Sequence, residues 1–258
     1  MTFTDAFNLT GKRALVTGAS SGLGDHFARL LAEQGAEVVL AARRLEKLES
    51  LAEEIRANGG KALPVAMDVT KADSVQAAFE VIASELDGPC DIVVNNSGVG
   101  QASWYQDTTE EEWQGIIDTN MTGVWRVAKA ATKALLDAGK PGSIINIASI
   151  TALQPALMNV GYAGSKAAVD HMTRVMAVEI CRYGIRVNAI APGYFKTAIN
   201  DEYLDSEHGD IMRKRIPMRR FGEHKELDGA LMLLASDAGA YMTGETIRVD
   251  GGHILMPL

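Results

Sequence analysis

The sequence predicts a doubly wound α/β domain, with about seven parallel strands and helices on both faces of the sheet. Three observations carry that expectation. Short apolar runs alternate with longer amphipathic runs along the chain, the pattern of a parallel sheet crossed by helices. A glycine-rich turn, "TGASSGLG" at 17–24, joins the first apolar run to the first amphipathic one. No Pro/Gly/Ser-rich linker and no internal repeat divides the 258 residues, so one domain spanning 1–258 is expected.

"RALVT" (13–17) reads as a buried strand. In "LGDHFARLLAEQG", Leu23, Phe27, Leu30 and Leu31 share a helical face and Gly35 is a natural stop. "EVVLA" is the second strand, followed by the helical run "RLEKLESLAEEIRANG". "ALPVAMDV" is the third strand, with a helix over 71–86, and "DIVVN" is the fourth. Thr109 with Glu112 resembles a capping box opening a long helix towards Ala138. "SIINIAS" is the fifth strand, followed by a helix from about Tyr162 to Tyr183. "IRVNAIAPG" is the sixth strand; a helix near 225–236 precedes the seventh, "TIRVDGG". The crossovers should be right-handed. The stretch 197–220 is polar, charged and Met-rich and interrupts the alternation, so it is expected to be an irregular lid over a binding site.

Composition narrows the function. Apolar residues make up 47% and charged residues 22%, as in ordinary soluble proteins. The net charge of −8, from 33 acidic and 25 basic residues, argues against a nucleic-acid binder. Cys90 and Cys181 suggest no secreted disulfide framework. The N-terminus lacks the pattern of a signal peptide, and no window approaches ~18 uninterrupted apolar residues, so a cytoplasmic protein without a membrane span is expected. His26, His171, His208, His224 and His253 show no metal-ligand spacing, and no metal is expected. The cluster "RKRIPMRR" (213–220) reads as a solvated lid surface, with attraction of an anionic substrate as the weaker alternative.

In the glycine turn, Gly18 permits the tight bend, while Gly22 and Gly24 allow close backbone approach and helix packing. A helix N-terminus behind such a turn presents free N–H groups and a positive dipole end to a phosphate. The expected contacts are Gly18, Ser20, Ser21, Gly22, Leu23 and Gly24. At the end of the second strand a dinucleotide site carries either an acidic residue for the ribose hydroxyls or an Arg for a 2′-phosphate. Here Ala42 takes the acidic position, with Arg43 and Arg44 after it. NADP(H) is therefore favoured over NAD(H), with Arg43 as the main phosphate ligand.

With these residues in hand, the chain resembles the short-chain dehydrogenase/reductase family from about Leu9 to Gly252. The motifs stand in the family's order: "TGASSGLG"; Asp68-Val69 as an adenine contact; "NNSG" (Asn95 to Gly98) for the family's Asn-Asn-Ala-Gly; Asn120; Ser149; Tyr162-x-x-x-Lys166; and Pro192, Gly193 and Thr197 in "PGYFKT". Ser97 replaces the usual Ala, and Ser21 stands where some NADP(H)-preferring members carry a basic residue. The resemblance implies a Rossmann-type fold and an NAD(P)H-dependent oxidoreductase, of carbonyl reductase or alcohol dehydrogenase type. Its substrate would be a ketone or aldehyde and the matching alcohol.

Tyr162 would move the proton, and an isolated phenol has a pKa near ~10. A neighbouring ammonium lowers that value, so Lys166, one helical turn on, is expected to lower the pKa of Tyr162. The resemblance gives Ser149 the substrate oxygen, Asn120 a supporting water, and Lys166 the nicotinamide ribose. It also implies cofactor contacts at Asn95, Gly98, Tyr162 and Lys166, substrate walls near 99–105 and 150–159, and a homotetramer. Trp104, Tyr105 and Tyr203 are candidates for the pocket. A silent dinucleotide-binding regulator or an enoyl reductase is the alternative. The first tends to lose the Tyr or Lys, and the second usually spaces them more widely.

Overall fold

The computed structural model describes residues 2, 4–196, 204 and 206–255. The described strands form one seven-stranded parallel sheet in the order β3-β2-β1-β4-β5-β6-β7. They are β1 Arg13–Thr17, β2 Glu37–Ala42, β3 Lys61–Ala66, β4 Ile92–Asn95, β5 Gly142–Ile147, β6 Ile185–Pro192 and β7 Thr246–Val249. The α-helices among the described residues are α1 Gly22–Glu33, α2 Leu45–Ala57, α3 Ala72–Glu85, α4 Glu110–Ile117, α5 Gly123–Asp137, α6 Val160–Ile180, α7 Glu207–Arg215 and α8 Asp228–Ala235. Strand order reverses between β1 and β4, the place where open parallel sheets bind ligands beyond their carboxyl ends.

Alternation along the strands builds two cores. In β1, Ala14 and Val16 face one layer, with Phe27 and Leu31 of α1, Leu51 and Ile55 of α2, and Leu231 of α8. Leu15 faces the other, with Val75 and Ile82 of α3, Val127 and Leu135 of α5, and Ala177 of α6. Both faces are apolar because both are covered. No described helix is long and apolar enough to cross a membrane.

The long helix expected over 109–138 begins where Thr109 Oγ1 accepts from Glu112 N at 3.1 Å. Its capping box is half formed, because the Glu112 carboxylate accepts from Ser103 Oγ at 2.8 Å. The helix is also broken in regularity by a π turn, Asp118–Thr122, between α4 and α5. The stretch expected to be irregular over 197–220 contains α7, with Ser206 Oγ accepting from Gly209 N at 3.4 Å at its start.

Candidate active site

The glycine turn is built to approach something closely. Gly18 takes φ +68°, and a Cβ at Gly24 would stand 2.2 Å from Gly18 O, so only glycine lets α1 pack on the turn. Ser21, at the N-cap of α1, makes no side-chain capping bond, which leaves the first-turn N–H groups without a side-chain acceptor. Thr17 locks the turn to the loop after β4. Its Oγ1 accepts from Asn96 N (3.0 Å) and Ser97 N (3.1 Å), and Asn96 Nδ2 donates to Thr17 O (3.0 Å). This cradle, a Cβ-free turn under an uncapped helix N-terminus, fits a dinucleotide pyrophosphate.

Arg44 Nη2 donates to Ser20 Oγ at 2.9 Å, so Arg44 stands at the turn. Nothing local in the sequence separates the two arginines, since which one turns back depends on how the strand ends. Arg43 acts electrostatically on Asp68. Burial raises the Asp68 pKa, but hydrogen bonds from Thr70 N (3.0 Å) and Thr70 Oγ1 (2.7 Å), with Arg43 and Lys71, outweigh it and leave the carboxyl below its ordinary value.

Ser149 follows the end of β5, and its Oγ accepts from Thr151 N (3.1 Å) and Thr151 Oγ1 (3.0 Å). Tyr162 and Lys166 lie one turn apart on α6. Lys166 Nζ is 5.7 Å from the centre of the Tyr162 ring and donates to Ile147 O at 2.7 Å. A Cβ at Gly98 would stand 3.7 Å from Lys166 Nζ and 3.4 Å from Asn120 Oδ1, so these three residues converge. Asn120 lies in the π turn, fully buried. Its Oδ1 accepts from Val99 N (2.8 Å), and its Nδ2 donates to Val99 O (3.0 Å) and Ser165 Oγ (3.3 Å).

The electrostatics correct one expectation. The Tyr162 pKa is raised, not lowered: burial disfavours the phenolate, and the Ser149 hydroxyl opposes it only in part. Burial also pushes the Lys166 ammonium down to about 8. The lysine is as desolvated as its partner and does not dominate the phenol in the protein alone.

Asn95, expected as a cofactor contact, has its side chain inside the fold. Its side chain is 2% exposed and donates to Asn146 Oδ1 at 2.9 Å, tying β4 to β5. Asn96, one residue on, holds the glycine turn instead. Val69 is buried against Gly123, where a Cβ would stand 2.8 Å from Val69 Cγ2. Pro192 ends β6 opposite Val249, and Gly193 N donates to Val249 O at 2.8 Å. Thr197 and Tyr203 lie outside the described residues. Trp104 and Tyr105 are exposed on the loop after β4. Within "RKRIPMRR", Arg213 pairs with Asp210, and Arg220 grips Glu226 with two bonds of 2.6 Å. Gln101, which the sequence does not single out, bonds the start of α6 from across the fold.

A family model described as enoyl-(acyl carrier protein) reductase matches residues 18–253. Gluconate 5-dehydrogenase of Gluconobacter oxydans (strain 621H) is 38% identical over 98% of this chain and 98% of its own. A short-chain type dehydrogenase/reductase from Mycobacterium marinum has a similar structure, with a TM-score of 0.93, 42% identity and coverage of 98% and 99% of the two chains. A gluconate 5-dehydrogenase from Burkholderia cenocepacia J2315, solved in complex with NADP and tartrate, gives 0.94, 37%, 98% and 99%. The sheet order, the glycine cradle and this likeness along nearly the whole chain lead to one conclusion: the protein belongs to the short-chain dehydrogenase/reductase family.

Proposed function

We propose that this protein interconverts a ketone or aldehyde and its alcohol with NADP(H), using Tyr162 as the proton donor and acceptor. The observation that carries the reading is the convergence of Ser149, Tyr162 and Lys166 beside the glycine cradle. The Gly18–Gly24 turn would hold the pyrophosphate, Arg43 and Arg44 the 2′-phosphate, and Asp68 and Val69 the adenine. Lys166 would hold the nicotinamide ribose, with Pro192, Gly193 and Thr197 flanking the ring.

When bound, the nicotinamide supplies or accepts the hydride. In reduction, Ser149 Oγ donates a hydrogen bond to the carbonyl oxygen and Tyr162 gives that oxygen its proton. In oxidation the same phenol, as phenolate, takes the alcohol proton. Burial favours neutral phenol in the free protein, which suits the acid role at neutral pH. Lys166 has two further N–H groups beyond its bond to Ile147 O; they are free to order the ribose and stabilise the phenolate. Asn120 fixes the loop against which Lys166 packs.

Oxidation of NADPH with 5-ketogluconate, a steroid ketone, a 3-oxoacyl thioester and a small aryl ketone tests the reading. Tyr162→Phe should lower turnover by about 10²–10⁴ while NADPH affinity stays within a few-fold. An active Phe variant overturns the assignment of Tyr162, and tight NADPH binding with no turnover on any carbonyl favours a silent regulator. The same reading makes the chain a cytoplasmic homotetramer, with 197–220 as a lid. Exposed Trp113, Trp125 and Val178 on α4, α5 and α6 support association. Light scattering that finds a monomer at assay concentration removes that part.

A further inference from the structure

The catalytic helix α6 begins without a cap of its own. Asn159 stands at its N-cap position, but the side chain makes no capping bond and donates to Leu157 O at 3.2 Å. The N–H groups of the second and third helical residues, here Gly161 and Tyr162, are those a cap side chain ordinarily satisfies. Both are taken by one oxygen from another part of the fold. Gln101 Oε1 accepts from Gly161 N at 2.8 Å and from Tyr162 N at 3.1 Å. A Cβ at Gly161 would stand 3.1 Å from that oxygen, so a larger residue there would press on the contact.

The Gln101 amide is held in one orientation. Its Nε2 donates to Ser103 Oγ (2.9 Å) and Thr108 Oγ1 (3.0 Å), and Ser103 Oγ donates to Glu112 Oε2 (2.8 Å) on α4. Flipping the amide would turn its NH₂ against two backbone donors. Two residues earlier, Val99 is bonded through both backbone groups to Asn120. The segment 99–101 therefore joins the π turn to the first turn of α6.

We infer that Gln101 is a positioning residue for the proton transfer: its carboxamide supplies the missing cap and so fixes the Tyr162 hydroxyl relative to Ser149. The inference rests on Tyr162 being the proton donor. Helices fray from their first turn, and Tyr162 lies in that turn, whereas Lys166 lies one turn deeper. Loss of the cap moves the phenol and leaves the lysine in place. The signature is a fall in kcat with cofactor affinity preserved.

Gln101→Ala and Gln101→Glu test this with NADPH and whichever ketone of the panel above wild type turns over fastest. The Ala variant should lose about tenfold to a hundredfold in kcat, the scale of an ångström-sized misplacement, with the NADPH Kd within about twofold. The Glu variant keeps an acceptor for both N–H groups and adds a charge that suits a helix N-terminus. Its kcat for reduction should recover to within a few-fold of wild type. A merely structural contact would lower thermal stability in the Ala variant while leaving kcat per bound NADPH unchanged.

Wild-type kcat per bound NADPH in the Ala variant, or a Glu variant as slow as the Ala variant, overturns the inference. If the Ala variant does not fold, Gln101→Met, which fills the same space without an oxygen acceptor, takes its place and should show the same loss of kcat. An active Tyr162→Phe would remove the reading on which this stands. An inactive Phe variant beside wild-type-like Gln101 variants removes only the role of Gln101.

Discussion

Replacing Lys166 with Met should stabilise the cofactor-free protein at neutral pH while abolishing turnover. Lys166 is 4% exposed, and burial pushes its pKa from 10.5 down to about 8. Each tenfold change in proton affinity is worth about 1.4 kcal/mol, so holding the ammonium charged at pH 7 costs about 3 kcal/mol. Met keeps the apolar stem in the same space but gives up the bond to Ile147 O, a loss of about 1 kcal/mol. The net gain at pH 7 is about 2 kcal/mol. The sign follows from proton counts. Between about pH 8 and 10.5 the unfolded chain holds a proton at Lys166 that the folded chain has released. Wild-type stability therefore rises with pH through that window relative to the variant, and the advantage of Met vanishes towards 10.5. Below pH 8 the advantage is constant. Urea unfolding of both proteins checks this, without cofactor and at one protein concentration, because ligand and association shift apparent stability. A Met variant less stable than wild type at pH 7, or a difference that does not change from pH 7 to 10.5, would refute the reasoning.

Other perturbations read other parts of the site. Arg44→Ala should weaken NADPH about tenfold or more and leave NADH unchanged, measured by fluorescence titration, because a lost charge-assisted contact is worth about 1.5–3 kcal/mol. Equal effects on the two cofactors would show that Arg44 serves only Ser20. Gly24→Ala places a methyl 2.2 Å from Gly18 O and 2.6 Å from Asn96 Nδ2, so the turn must move. Loss of about 1–3 kcal/mol in urea unfolding, together with weaker NADPH binding, is expected. In the pH profiles, alcohol oxidation needs the phenolate, whose pKa burial raises, and should still be rising on the alkaline side. Ketone reduction uses the neutral phenol and should hold through neutral pH. An oxidation limb complete below neutrality would contradict the raised phenol.

The sheet and its helices were legible because burial on both faces writes itself into the sequence as short apolar runs. Leu15 and Val16 face opposite cores, yet both must be apolar. The motif residues were legible because a glycine turn or a Tyr-Lys pair acts over one turn of chain. The helix α7 was hidden by its polar composition, although Ser206 as cap, acidic Glu207 and Asp210 at the start and basic Arg213 to Arg215 at the end are written in order. The direction of the Tyr162 shift was not legible at all. It depends on how completely the fold buries the phenol and lysine together, and spacing carries no measure of desolvation.

Asn120 shows where local reading stops. It sits four residues after Ile116 and four before Val124, on the buried stripe of the α4–α5 helix, so its amide must find partners inside the fold. Those partners are the backbone of Val99 and the hydroxyl of Ser165 on α6. Val99 lies in the loop after β4, whose Asn96 locks the glycine turn through Thr17 and whose Gln101 caps α6. One short loop therefore sets the relative positions of the cofactor turn, the π turn and the catalytic helix, which stand far apart in sequence. Each of those elements could be recognised alone from its own residues. Their junction could not, because it is made of backbone groups, the Thr17 hydroxyl and the amides of Asn96, Gln101 and Asn120, with partners up to 80 positions apart. Substitutions in 96–101 should for that reason disturb catalysis more than exposed-loop positions ordinarily do, even where the altered side chain reaches neither substrate nor cofactor.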